Sequence, residues 1–153
     1  MEERIPAANL DNQLCFAMYD ASRAAIRAYA PLLADLGLTY PQYLTMFVLW
    51  ETDQPVSVGD LGARLHLDTG TLSPLLKRLE RLGFVDRQRD PTDDRRVLIS
   101  LTPEGSGLRE RACDIPAHMT ERFGLDPAAG MKLRDELIDI VRTLEAHTNN
   151  SGA

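Results

Sequence analysis

Apolar positions recur at helical spacing along most of this chain. Leu10, Leu14, Met18, Ala21 and Ala25 form one stripe, which predicts a long helix from Leu10 to Tyr29 with a single apolar face. Tyr29-Ala30-Pro31 is expected to kink or end it, because proline disfavours helical geometry in the residue before it. Gly37 fits a helix C-cap, and Thr39-Tyr40-Pro41 fits the start of the next helix with proline in the first turn. Tyr43, Leu44, Phe47, Val48 and Trp50 then give a helix of core type, with Phe47 and Trp50 packing inward.

The middle of the chain is more densely punctuated. Ser57-Val58-Gly59-Asp60 reads as a cap with an acid three residues on, opening a short helix through Leu61 and Leu65. Asp68-Thr69 caps a second helix that runs to about Leu82, with Gly83 as its stop and His66 in the turn before it. Leu72, Leu75, Leu76, Leu79 and Leu82 make its buried face, and Thr71, Pro74, Lys77, Arg78 and Arg81 the opposite one. Two such helices joined by a tight turn are a helix-turn-helix pattern. Phe84 to Arg89 and Arg96 to Leu101 read as strands around the turn Asp90-Pro91-Thr92-Asp93-Asp94. A hairpin directly after a helix-turn-helix is the layout of a winged helix.

Thr102-Pro103-Glu104 starts a further helix, expected to reach Phe123 with a bend at Pro116 and a stop at Gly124. Asp126-Pro127 opens the last one, in which Met131, Arg134, Leu137, Val141 and Leu144 share a face. Asn149 to Ala153 reads as a frayed tail. The expected fold is mainly α with a small β wing. Residues 1–153 form a single domain: a winged helix-turn-helix at 57–101, flanked by N-terminal (10–36) and C-terminal (103–147) helices. The flanking helices carry apolar faces that one small domain need not bury, so a homodimer is expected.

Composition narrows the class. With 44% hydrophobic and 26% charged residues the chain is an ordinary globular one, and two cysteines cannot staple a fold. No apolar run is long enough to span a bilayer. Met1 to Pro6 lacks the basic-then-apolar layout of a signal peptide. No membrane partner and a reducing cytoplasmic location are therefore expected, and a reactive thiol can persist there. The net charge of −6 argues against a polyanion coating the whole surface. It does not argue against a local patch, because charges more than about 8–10 Å apart act independently. Residues 1–67 hold eight acids against four bases. Residues 73–96 reverse this, with seven bases (Lys77, Arg78, Arg81, Arg87, Arg89, Arg95, Arg96) against five acids.

That local excess falls on the helix a major groove would receive. Its first turns offer Asp68, Thr69, Gly70, Thr71, Ser73 and Pro74, which suit base edges and close approach, followed by Lys77 and Arg78 for phosphates or guanine. The wing turn offers Arg95 and Arg96 to the minor groove or its phosphates, with Asp93 placed to orient Arg95. Double-stranded DNA with a palindromic operator is the expected partner.

These residues resemble a known family. Asp93-Asp94-Arg95 followed by Val97-Leu98-Ile99-Ser100-Leu101-Thr102-Pro103-Glu104-Gly105 resembles the wing signature of MarR-type winged-helix regulators. Three segments resemble the organic-hydroperoxide-sensing branch of that family. They are Leu10-Asp11-Asn12-Gln13-Leu14-Cys15-Phe16, Leu38-Thr39-Tyr40-Pro41-Gln42-Tyr43-Leu44, and the stretch from Leu67 to Arg78. The likeness covers residues 10 to about 115, and the last helix more loosely. The wing motif marks the broad family; the segment around Cys15 marks the branch.

A cysteine in an apolar helix is usually an inert small hydrophobe. Cys15 differs in its neighbours: Tyr19, Ser22, Ile26 and Tyr29 follow at spacings of four, three, four and three, so all share its face. Donors near a sulfur favour the thiolate and its nucleophilicity. Tyr29, however, lies roughly 21 Å along a straight helix from Cys15 and cannot touch it. If both serve one site, Tyr29 comes from a second chain. The resemblance implies this arrangement, with Cys15 meeting Tyr29 and Tyr40 of the partner subunit and Tyr19 close by in the same chain. It further implies that an organic hydroperoxide oxidises Cys15 to a sulfenic acid, that a thiol condenses with it, and that the operator is released. Cys113 is displaced from the resolving position of two-cysteine members. A structural Cys113 is therefore favoured, with a low-molecular-weight thiol capping Cys15 instead.

His66, His118 and His147 have no ligand spacing with cysteine or acid, so no metal and no cofactor are expected. Two other functions compete. One is a regulator of the same type controlled by a small aromatic acid rather than by Cys15. The other is a thiol peroxidase, which the missing resolving cysteine and the complete winged helix argue against.

Overall fold

The computed structural model describes residues 9–150; the acidic start of the chain and its last three residues lie outside them. The described chain is mainly helical with one small sheet, and it divides into two compact units, one ending at Cys113 and the other beginning at Asp114.

The first unit begins with a 3-10 turn at Leu10–Asn12 and then α1, Leu14–Ala34. The helix starts four residues later than its apolar stripe suggests, and it continues past Pro31 instead of ending there. Proline removes one hydrogen bond, to the carbonyl four residues back. Here that carbonyl belongs to Arg27, and both residues are exposed, so water can satisfy it. Continuing the helix delivers Leu33, which is fully buried.

Helix α2, Tyr40–Trp50, is capped by Gln42, whose Oε1 accepts from the Thr39 N–H at 2.9 Å. Trp50 is buried as expected, but Phe47 is 42% exposed and is not a core residue. Strand β1, Val56–Ser57, which periodicity does not reveal, leads into α3, Val58–Leu65. The Ser57 hydroxyl accepts from the Asp60 N–H at 3.1 Å. His66 takes left-handed geometry (φ 55°) to turn the chain into α4, Thr69–Arg81.

Leu72, Leu76 and Leu79 of α4 are completely buried against α2, α3 and the sheet. Each contributes roughly 1.5–3 kcal/mol. Together they outweigh the cost of placing Gly70 and Pro74 in a helix, about 1 and 3 kcal/mol relative to alanine. Leu75 and Leu82 are only half-buried.

The wing is β2, Val85–Asp90, and β3, Asp93–Leu101, joined at Pro91-Thr92, so the turn is tighter than the sequence suggests. The sheet order is β1-β3-β2, antiparallel throughout, with Ile99 opposite both Val56 and Arg87. Helix α5, Pro103–Ala112, packs on α2 and β3. Gly105 is required there: a Cβ would collide with the Phe84 carbonyl.

The second unit contains α6, Ile115–Phe123, and α7, Pro127–Asn150. The single bent helix expected from Thr102 to Phe123 is two helices, interrupted at Cys113-Asp114. Pro116 sits in the first turn of α6, the position where a missing N–H costs nothing. Gly124 terminates α6 in left-handed geometry. Helix α7 continues to Asn150, so Asn149 and Asn150 belong to it and not to a frayed tail. Met131, Leu133, Leu137, Ile138, Val141 and Leu144 of α7 are all exposed. Among the described residues no helix is long and apolar enough to cross a membrane.

Candidate functional site

Two groups of residues stand out in the first unit, one on α4 and the wing, the other on α1 and α2. On α4, Thr69, Gly70, Thr71, Pro74, Lys77 and Arg78 are exposed, and Ser73 is half-buried. Asp68 is committed to capping. Its carboxylate accepts from the Thr71 N–H at 2.8 Å and from the Thr71 hydroxyl at 3.0 Å. Those bonds hold its carboxyl below the usual carboxylate range. Of the residues read as base-edge contacts, Asp68 and Thr71 thus already satisfy each other.

The two wing arginines differ. Arg95 is almost fully exposed; its backbone N–H donates to Asp93 Oδ1 at 3.0 Å, and its Nε lies 3.6 Å from the same oxygen. Asp93 therefore orients Arg95 without burying it. Arg96 is tied inward, 3.4 Å from Asp90 and 3.6 Å from Asp60 at the start of α3. Asp90 also accepts from the Thr92 N–H and hydroxyl at 2.9 and 2.7 Å, and these bonds, with Arg96, pull its carboxyl down. Arg96 braces the wing; Arg95 projects from it.

Between the starts of α3 and α4 and the wing lies a cavity of about 380 Å³, lined by Ser57, Thr69, Ser73, Arg87, Arg95 and Arg96 among others. From the sequence Arg87 is one base of the positive stretch and not a site residue. Its Nε is buried without a hydrogen-bond partner, while Nη1 lies 3.6 Å from Glu80. Strand alternation was the available signal, since Arg87 must face the same side as buried Val85.

Cys15 is the second residue of α1 and is exposed, as are Leu14, Phe16, Tyr19 and Ile26. Arg23 covers the Tyr19 ring, 5.3 Å from its centroid. Ser22, on the same face, donates its hydroxyl to the Tyr19 carbonyl at 2.8 Å, so it is spent on its own helix. Tyr29 stands further along the same unbroken helix, about 21 Å from Cys15 at 1.5 Å per residue.

Tyr29 and Tyr40 are brought together, with ring centroids 4.5 Å apart, and Tyr43 lies beneath them at 5.9 and 6.5 Å. Burial raises the phenols of Tyr29 and Tyr40 above the ordinary tyrosine value, and Tyr40 adds to the effect on Tyr29. Burial first, then the two neighbouring phenols, push Tyr43 up to about 12. All three therefore keep their O–H protons at neutral pH. Cys113, at the end of α5, is not in a disulfide, and its Sγ donates to the Glu110 carbonyl at 2.9 Å.

Residues 27–111 match the family described as transcriptional regulator SarA/Rot. The chain is 43% identical over 147 residues to the organic hydroperoxide resistance transcriptional regulator of Bacillus subtilis (strain 168), a match covering 94% of this chain and 97% of that one. The chain belongs to the MarR/SarA family of winged-helix transcriptional regulators. A second family member, the HTH-type transcriptional regulator TtmR of Methylorubrum extorquens (strain PA1), is 46% identical over 143 residues, covering 94% of this chain and 73% of its own. In three dimensions the family fold is matched by reduced AbfR bound to DNA, a protein of Staphylococcus epidermidis. The TM-score is 0.75 at 35% identity, over 88% of this chain and 94% of that one.

The matched family segment runs from Arg27 in α1 to Arg111 in α5. It takes in the tyrosine cluster, the helix-turn-helix and the wing. Cys15 lies outside that segment but within the 94% aligned to the Bacillus regulator, being too far from either end to be missed.

Proposed function

We propose that the protein is a dimeric repressor that holds a palindromic operator while Cys15 is reduced and releases it when an organic hydroperoxide oxidises that thiol. The observation that carries this reading is the separation of the thiol from the phenols. Tyr29 and Tyr40 form a protonated pair at one end of α1, and Cys15 is exposed at the other, with apolar neighbours that water would not choose to face. A second copy supplying its own phenol pair brings them together and covers Leu14, Phe16 and Ile26. The exposed apolar residues of α7 ask for the same cover. The Bacillus relative's name supports an organic hydroperoxide as the signal, and the DNA-bound form of reduced AbfR supports DNA binding by the reduced protein; AbfR also binds DNA when overoxidized, so release is the part the experiment below must test.

The Cys15 thiolate attacks the terminal peroxide oxygen. An S–O bond forms, the O–O bond breaks, and the leaving alkoxide takes a proton to become the alcohol. Sulfur is oxidised by two electrons and the peroxide reduced by two. A small thiol of a reducing cytoplasm then condenses with the sulfenic acid and expels water. Cys113, bonded to its own helix, is left structural. Oxidation adds bulk where the partner's phenols donate, and the two winged units lose the spacing that matches half-sites about one helical turn apart.

Mobility shift on a palindromic duplex, with and without cumene hydroperoxide, tests this for the native protein and Cys15→Ser. The serine variant should stay on DNA at peroxide levels that release the native protein. Release of both would overturn the proposal.

A further inference from the structure

The phenol pair is continuous with a line of aromatic rings that leads to the base of the wing. Tyr43, 3% exposed, contacts Tyr29 and Tyr40 on one side. On the other it meets Trp50 edge-on, with centroids 6.3 Å apart. Phe47 flanks both at 5.8 and 6.4 Å. These are contact distances for aromatic pairs, and Tyr43 and Trp50, which connect the phenol pair to the wing, are both buried.

The line ends in a hydrogen bond. An indole has one donor and no acceptor, and Trp50 gives its N–H to the Gly105 carbonyl at 2.9 Å, in a buried position. Gly105 lies in the first turn of α5, immediately after the wing. Its Cα backs directly onto the Phe84 carbonyl. That carbonyl also accepts from the Thr102 N–H at 3.1 Å, and the Thr102 hydroxyl donates to the Gly83 carbonyl at 2.6 Å. The start of α5 and both feet of the wing are therefore one bonded unit, and Trp50 is its tie to the aromatic line.

We propose that Trp50 is the positioning residue through which the Tyr29–Tyr40 pair sets the attitude of the wing. The inference rests on the redox reading above. When oxidation at a neighbouring thiol displaces the phenols, Tyr43 has no empty space to absorb the movement, because protein interiors are close-packed. The displacement reaches Gly105 through the indole and tilts the hairpin that carries Arg95. Plain core packing would make Trp50 matter for stability alone; coupling makes it matter for the difference between oxidised and reduced protein.

The test uses the full-length dimer, a duplex selected from random DNA by the reduced native protein, and cumene hydroperoxide as oxidant. Trp50→Phe keeps an aromatic ring and removes the N–H. It should form the Cys15 sulfenic acid at the native rate, read by trapping and mass, and bind the duplex when reduced with little loss. Its oxidation-dependent loss of affinity should shrink by about tenfold or more, within the usual range of coupling between sites. Native-like release from Trp50→Phe overturns the coupling and leaves the redox reading intact. Failure of the native protein itself to release DNA when Cys15 is oxidised overturns both.

Should Trp50→Phe fold poorly, the native protein decides the matter. Trp50 is its sole tryptophan, and its emission should shift on oxidation and stay constant in Cys15→Ser. An unchanged emission in oxidised native protein refutes the proposal.

Discussion

The rings of Tyr29 and Tyr40 meet with centroids 4.5 Å apart although one comes from the late part of α1 and the other from the first residue of α2. The loop between them buries Leu36 and Leu38 and returns the chain so that the two phenols pair. A pair can offer two O–H donors to one sulfur, which a single phenol cannot.

Tyr29→Phe and Tyr40→Phe keep the ring contact and delete one donor each. A hydrogen bond to a charged group contributes about 1.5–3 kcal/mol. Each variant should therefore slow oxidation of Cys15 by about ten- to a hundredfold, measured by stopped-flow with cumene hydroperoxide. Melting temperatures should stay close to native. Unchanged oxidation rates in both variants would remove the phenols from the chemistry.

Arg95→Ala and Arg96→Ala should separate reading from bracing. Arg95 is exposed and makes one weak pair, so its loss should leave thermal stability unchanged, weaken DNA binding and lower the salt slope of binding by about one. Arg96 joins Asp60 to Asp90. Its loss should lower the melting temperature slightly, since partly exposed pairs contribute about 0.2–1 kcal/mol each, and should weaken DNA binding through a looser wing. Calorimetry and anisotropy titrations at several salt concentrations check both.

Stability should fall at both ends of the pH scale for different reasons. Asp68 and Asp90 are held below their ordinary 3.8 in the folded protein. Their contributions are complete above 3.8 and fade as pH falls through the lowered values. Tyr43 runs the other way: its folded value of about 12 exceeds the ordinary 10.0, so the fold favours the neutral phenol. That contribution is complete below pH 10 and is lost as pH rises from 10 towards 12. Melting temperature against pH, with tyrosinate absorbance followed in parallel, should show Tyr43 ionising together with alkaline unfolding. Full ionisation of every tyrosine in protein that remains folded near pH 10 would contradict the assignment.

Features set by local physics are legible in the sequence. The cap at Asp68, the buried leucine face of α4 and the strand-turn-strand of the wing each depend on residues a few positions apart. The two prolines mark where that reading stops. Pro31, expected to kink or break a helix, does not break it: the residue whose carbonyl loses its partner, Arg27, is exposed, and Leu33 beyond it is buried. Pro116 was expected to bend one and instead opens a new one. Phe47 shows the same limit, since a helical stripe does not say where the stripe's edge meets water.

The sequence by itself determined the helix-turn-helix, the wing hairpin and the family resemblance, because period, capping and motif are written in neighbouring residues. Only the tertiary structure decided that Arg96 is spent on Asp60 and Asp90 while Arg95 is free to project. It also decided that Tyr29 finds Tyr40, and that the indole of Trp50 reaches Gly105 across 55 residues of chain. Those pairings follow from which surfaces exclude water together, and that is settled by the packed whole rather than by any segment of it.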